Sequence, residues 1–193
     1  MKKVERDEVL DIAQYEKSRP DFRRRVIEMK KDRRVQVGMN VTFVFENHDT
    51  VLFQIQEMMR TERIVEENAI RHEIETYNQL LGERDELAAT MLIELTDPSR
   101  IKEEISRLHG INNGSVTWLQ IGETKLPGRF DASQGNEQRT SAVQYVKFHF
   151  DPDARDAFLD KGEPLKLVID HPNYKFSSTI GAPVLDELRR DLL

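Results

Sequence analysis

An α+β fold is what this sequence predicts, and three observations predict it. Residues 50–81 keep helical periodicity throughout, residues 35–46 alternate as strands do, and two later units repeat the order strand, Asp-Pro, helix, Gly, strand. The expected order is N-terminal helices and a β-hairpin with one long helix, then a β-α-β-β-α-β unit, ferredoxin-like, with an insertion. A chain of 193 residues makes one large or two small domains. The division expected is 1–85 for the helical part, hairpin and long helix, and 86–193 for the ferredoxin-like unit and a closing helix, around one shared core.

Each element has a local reason. Residues 7–16 supply Val9, Leu10, Ile12, Ala13 and Tyr15 to a short helix, which Ser18-Arg19-Pro20 should end because the residue before proline avoids the α region. Pro20 suits the first position of a second helix to about Asp32, with Phe22, Val26 and Met29 as its apolar line. Arg25 and Arg33 fall near that line and can turn inward. In 41–46, Val41, Phe43 and Phe45 alternate with Thr42, Val44 and Glu46, and Asn47 is placed to cap the helix that follows. Gly82 stands where a C-terminal capping glycine belongs. A straight helix over 50–81 measures about 48 Å, so it bends near Arg63 or Asn68 or packs on a second subunit.

After residue 85 the pattern changes. Strands are expected at 88–95, 116–121, 141–150 and 165–170. Helices follow Asp97-Pro98 (ended by Gly110) and Asp151-Pro152 (ended by Gly162). The insertion 122–140 holds a small hairpin and a polar loop. A final amphipathic helix at 183–192 carries Val184, Leu185, Leu188 and Leu192.

Hydrophobic residues are 38% and charged residues 33%, so a core is feasible beneath a heavily charged surface. The absence of cysteine excludes disulfides, thiolate nucleophiles and Cys-ligated metal within this chain. The N-terminus has no apolar stretch of a signal peptide, and no run approaches the ~18 residues of a membrane span, so a cytoplasmic location is expected with no membrane partner. Net charge is −6, yet residues 17–34 carry nine basic and three acidic side chains. An acidic body with one basic arm points to internal pairing or to docking on an acidic protein through Arg23, Arg24, Arg25, Lys30 and Lys31.

The helical wheel of 50–81 supplies the sharpest candidate site. Val51, Ile55, Met58, Met59, Ala69, Tyr77 and Leu80 share one face, and Glu62, Glu66 and Glu73 fall within about 40° of it. A carboxylate on an apolar face must be paired, protonated or metal-bound. Pairing with the basic arm is one reading. A metal or ligand site is a second, with Glu46 or a histidine completing it, and simple exposure through a bent helix is a third. No cofactor is predicted outright; manganese or iron would suit oxygen donors. Against a metal centre, no histidine follows a glutamate at the spacing of di-iron bundles, and His72-Glu73 does not continue as a zinc helix. His149 with Asp151, or His171 with Asp170, could form a general-base pair. Glu46, Asn47 and His48 at a strand exit, and Arg129-Phe130-Asp131 and Gln138-Arg139 in the insertion, are further polar clusters. Nucleic acid is disfavoured: Tyr145, Phe148 and Phe150 do not share one strand face. Nucleophile-elbow, phosphate-loop and dinucleotide motifs are missing.

Phe45-Glu46-Asn47, Thr50-Val51, Gln56-Glu57-Met58, Tyr77-Asn78, Arg129-Phe130-Asp131, Val143-Gln144-Tyr145 and Asp170-His171-Pro172 resemble the bacterial domain-of-unknown-function family 3501, across essentially the whole chain. The resemblance brings no catalytic residues. It implies a redox or peroxide-stress setting, beside a rubrerythrin-like protein and an iron–sulfur oxidoreductase. Lacking the ligands of either, the chain is expected to be an accessory or interaction protein, as a homodimer. The alternative is a metal- or small-ligand-binding protein or enzyme using the carboxylates of the long helix.

Overall fold

The computed structural model describes residues 1–131, 135–136, 139–160 and 163–193. Among these, eight strands form one antiparallel sheet in the order β1-β2-β3-β8-β5-β4-β9-β10, curled into a nearly closed barrel. The strands are β1 (Arg34–Val37), β2 (Val41–Phe45), β3 (Glu86–Ile93), β4 (Thr117–Ile121), β5 (Thr124–Phe130), β8 (Val143–His149), β9 (Leu165–His171) and β10 (Tyr174–Thr179). A separate ribbon joins β6 (Gly135–Asn136) to β7 (Arg139–Thr140). Six α-helices complete the described fold: α1 (Ile12–Lys31), α2 (His48–Glu62), α3 (Glu67–Asn78), α4 (Ile101–Arg107), α5 (Pro152–Leu159) and α6 (Ala182–Leu192). No helix among them is long and apolar enough to cross a membrane.

The ferredoxin-like expectation is therefore overturned. In that fold the two strands of each β-α-β unit run parallel, with one other strand between them. Here β8 and β5 both lie between β3 and β4, and β5 and β4 both lie between β8 and β9, so each expected parallel pair runs antiparallel. The second strand of each of two hairpins escapes sequence reading. β5 carries Pro127-Gly128, which reads as a loop, yet an added Cβ at Gly128 would meet Val146 Cγ2 at 2.9 Å. β10 is mostly exposed and polar, as suits a strand at the edge of the sheet.

The alternation of β2 sorts residues as expected. Val41, Phe43 and Phe45 point into the barrel with Leu87, Ala89, Met91, Val146, Phe148, Leu119 and Leu167, and α5 and α6 add Phe158 and Leu188. The two ends of the sheet meet through side chains: the Tyr174 hydroxyl donates to Val37 O at 2.7 Å and accepts from Asn40 N–H at 2.9 Å, and Ser178 donates to Gln36 O.

The single long helix does not form. α2 begins at Asn47, whose side chain accepts from Thr50 N–H, and stops at Arg63, which adopts the left-handed conformation (φ 55°) and donates its N–H to Met59 O. α3 restarts after Glu66. The break folds Ile70 and Ile74 back onto Val51, Ile55 and Met59, and with Val4, Val9 and Leu81 they make a second small core outside the barrel. Two amides pin the N-terminal segment to it. Asn78 exchanges hydrogen bonds with both backbone groups of Val4, and Gln56 does the same for Leu10.

The expected division at Pro20 also fails, because α1 runs through it. The proline removes the N–H that would serve the Glu16 carbonyl. Packing on both sides compensates: Tyr15, Phe22 and Phe53 stack edge to face, the Tyr15 hydroxyl donates to Glu57, and Arg19 grips both oxygens of Glu57. Gly82 is not a helix cap. Its Cβ would lie 2.3 Å from Glu86 O, so glycine is required there by close backbone approach.

Candidate functional site

The α2–α3 break lays α3 across the outer face of β3 and β8, and a cavity of ≈ 750 Å³ lies between them, opening at the end of β5. Sheet register sets its floor. Val44, Thr90 and Tyr145 are cross-strand neighbours, and Asp131 N–H donates to Tyr145 O at 3.1 Å. Since Ala89 and Val146 face the barrel, their chain neighbours Thr90, Tyr145 and Lys147 face the cavity. Arg129 is the register partner of Lys147. α3 supplies Glu73 and Tyr77 as the roof, and Leu80, just past its end, adds to it.

At the inner end lies Glu46, the residue between β2 and the cap of α2. It is 3% exposed and continues the pairing of β2 with β3 through a bond from its N–H to Ala88 O at 2.9 Å. Its carboxylate is held entirely by neutral donors. Thr50 Oγ1 and Gln54 Nε2 donate to Oε2 at 2.5 and 3.1 Å, and Thr90 Oγ1 donates to Oε1 at 2.6 Å. Thr50 thus completes the capping box of α2 and fixes the acid with the same hydroxyl. No Lys or Arg side chain forms an ion pair with Glu46 among the described residues. A carboxylate has about four acceptor positions, so these three bonds leave Oε1 with capacity toward the cavity.

Burial, reinforced by the charges of Glu46 and Asp131, raises the phenol pKa of Tyr145. Burial also raises that of Tyr77, followed by Tyr145 and Glu73. Both hydroxyls therefore stay protonated at neutral pH and act as donors. The cations on the wall differ in how far they are engaged. Lys3 pairs with Glu83 at 2.9 Å, Arg129 approaches Glu86 at 3.7 Å, and Lys147 has no ion-pair partner among the described residues. The combination suits binding and orientation of a polar molecule.

The four candidate glutamates separate. Glu46 and Glu73 share the cavity wall. Glu62, at the end of α2, and Glu66, the residue preceding α3, are exposed. The apolar stripe they were expected to share is divided by the turn at Arg63, and the basic arm does not reach them. Arg33 instead is fully buried, donating to Phe45 O at 3.0 Å and pairing with Asp191 and Glu187 of α6. Arg25 lies over the Phe22 ring. Of the candidate docking residues, Arg23, Arg24, Arg25 and Lys31 are exposed and Lys30 is half-buried; Arg24 pairs with Asp21 and Lys31 with Glu28.

The histidine pairs do not assemble either. Asp151 caps α5 by accepting from Ala154 N–H, and His149 lies near Glu86. His171 is buried with Nε2 2.8 Å from His109 O, while Asp170 pairs with Lys175. His48 contacts Asp49 and Glu8. Gln138, the Arg139 side chain and Gly162 lie outside the described residues. Among the described residues no three His, Asp or Glu side chains gather as a metal site.

Glu46 and Glu73 stand out in the sequence, whereas Thr90, Tyr77 and Lys147 do not, and Tyr145 enters only among aromatics that share no face. The available signal was the alternation of β8, in which Tyr145 and Lys147 fall opposite Val146 and Phe148. Phe45-Glu46-Asn47, Tyr77-Asn78, Arg129-Phe130-Asp131 and Val143-Gln144-Tyr145 each place residues on the wall.

No curated protein matches the chain. A crystal structure of a protein of unknown function from Burkholderia pseudomallei is similar, with a TM-score of 0.92, 30% sequence identity and 100% of each chain covered. The model of the family described as protein of unknown function (DUF3501) matches residues 3–192, and the chain belongs to that family.

Proposed function

We propose that the protein binds a small polar molecule in the cavity between α3 and the sheet, with Glu46 as its anchor. One observation carries this reading: a carboxylate withdrawn from water, fixed by three neutral donors, and left without a cation among the described residues beside an open cavity. Burying an ionised carboxylate is costly unless its charge is answered, and a bound cationic or donor group would answer it. Ligand-observed NMR with a library of small polar fragments tests this on the wild-type protein and on Glu46→Gln. Fragments that bind the first and not the second support it; a library that binds neither, or both equally, rejects it.

Docking of the basic arm on an acidic partner is a second, independent reading, in a cytoplasmic redox setting of the kind the family resemblance implies. The exposed Arg23 and Arg25, which have no ion-pair partner among the described residues, favour it. Equal recovery of partners from native lysate by the wild type and by a variant with Arg23, Arg24 and Arg25 changed to Glu would reject it. Homodimerisation, expected from the sequence, is a separate proposal that light scattering on the purified protein decides.

A further inference from the structure

The geometry points to a ligand class: a small zwitterion whose ammonium group lies against Glu46 and the two tyrosines and whose anionic group faces Lys147 and Arg129. This inference rests on the cavity reading above and adds polarity to it. Glu46 enters from the β2 side of the floor. Lys147 stands on β8, two strands away, and Arg129 on β5, one strand further. At ~4.8 Å per strand the backbones of Glu46 and Lys147 are roughly 10 Å apart. Both line the cavity, with Ala88 between them in the sheet register and Thr90 bonded to Glu46, a span suited to a short aliphatic chain.

The inner end is built for a cation. Glu46 Oε1 has remaining acceptor capacity, and Glu73 borders Tyr77. Tyr77 and Tyr145 provide ring faces, which attract ammonium groups. Asp131 lies beside Tyr145 at the exposed rim, so the negative field extends along that ring. The outer end is built for an anion. Lys147 is the wall cation without an ion-pair partner among the described residues, and its neighbour Arg129 is 65% exposed with only a long contact to Glu86. A purely cationic ligand would leave Lys147 only the longer-range charge of Glu83, and a purely anionic one would leave Glu46 without a cation among the described residues.

Isothermal titration calorimetry with γ-aminobutyrate, δ-aminovalerate and ε-aminocaproate, each set against its matched alkylamine and alkylcarboxylate, tests the assignment. At least one zwitterion should bind about tenfold or more tighter than both of its single-charge counterparts. In Lys147→Gln/Arg129→Gln, whose changed side chains are partly solvated, that zwitterion should fall to the affinity of its amine; in Glu46→Gln it should fall to that of its carboxylate. An amine that matches the zwitterion overturns the two-ended site while leaving the cavity reading intact. A carboxylate that matches it overturns the role of Glu46 and with it both readings. If no zwitterion binds, the ligand class is wrong, and the fragment screen decides separately whether the cavity binds anything.

Discussion

Arg33 and Glu46 are both buried charges, and they almost touch: the guanidinium of Arg33 donates to the backbone carbonyl of Phe45 and lies 3.5 Å from that of Glu46. Their treatment is opposite. Arg33 closes its charge against Asp191 and Glu187, two carboxylates of α6, and ties the last helix to the start of the sheet. Glu46 is surrounded by hydroxyls and an amide and faces a cavity. A charge answered inside the chain holds the fold together; one left for something else to answer marks a site. Burial pushes the Asp191 carboxyl up to about 6 despite the pull of Arg33, so the closed pair is an expensive joint as well as a necessary one.

The contrast can be broken most forcefully at Arg33. Arg33→Met leaves Asp191 and the carbonyls at the end of β2 without their donor, and should cost about 3–5 kcal/mol in urea denaturation. Gly82→Ala comes next. The new methyl collides with the Glu86 carbonyl beneath the α3–β3 connection, and about 1–3 kcal/mol should be lost. Glu46→Gln keeps the shape and much of the hydrogen bonding, so its stability should change by about 1 kcal/mol or less while zwitterion binding falls to that of the matched carboxylate. A loss as large as that of Arg33→Met would make Glu46 a structural charge and erase the distinction.

The smallest effect is a pH profile. Glu8 is held down to about 2, chiefly by its bond to Lys2 and then by the backbone of Glu5, with His48 assisting; its stabilisation is complete above 4.5 and is lost as pH falls toward 2. For His48, burial opposes the charged ring, but Asp49 and Glu8 outweigh it and raise its pKa. That contribution is full below 6.5 and is lost as pH rises through the folded value. Asp191 acts in the same direction, its contribution declining as pH rises from 3.8 to about 6. Thermal melts of His48→Gln should therefore lose part of the decline above pH 6.5 while keeping the decline between 3.8 and 6. An unchanged decline above pH 6.5 would remove the charged contact.

Much of the local structure was legible. Asn47, Asp151 and Pro152 stand where helix-start rules place them, and the alternation of β2 sorted Phe45 inward and Glu46 outward. The global arrangement was hidden for identifiable reasons. A bend near Arg63 is one expectation from length, but neither Gly nor Pro marks it as a full break and Ile64-Val65 keeps the helical spacing across the gap, so the doubling back of α3 stays hidden. Pro127-Gly128 conceals a strand whose glycine is demanded by packing rather than by a turn. Without β5 and β10, a barrel reads as a split α/β sheet. The candidate site was half legible for the same reason. Glu73 stands out as an acid on an apolar helix face and Glu46 as an acid at a strand exit, but their meeting depends on α3 doubling back, which is a tertiary fact.

The hydroxyls of Tyr174 and Ser178 at the junction of the first and last strands have a colloidal consequence. A sheet with open margins offers a rail on which a strand from a neighbouring molecule can dock. Here the margins face each other, and phenol and serine bridges take up several backbone groups on the β1 side of that rail. Crowded solutions of this protein should resist ordered stacking until that junction is pried apart.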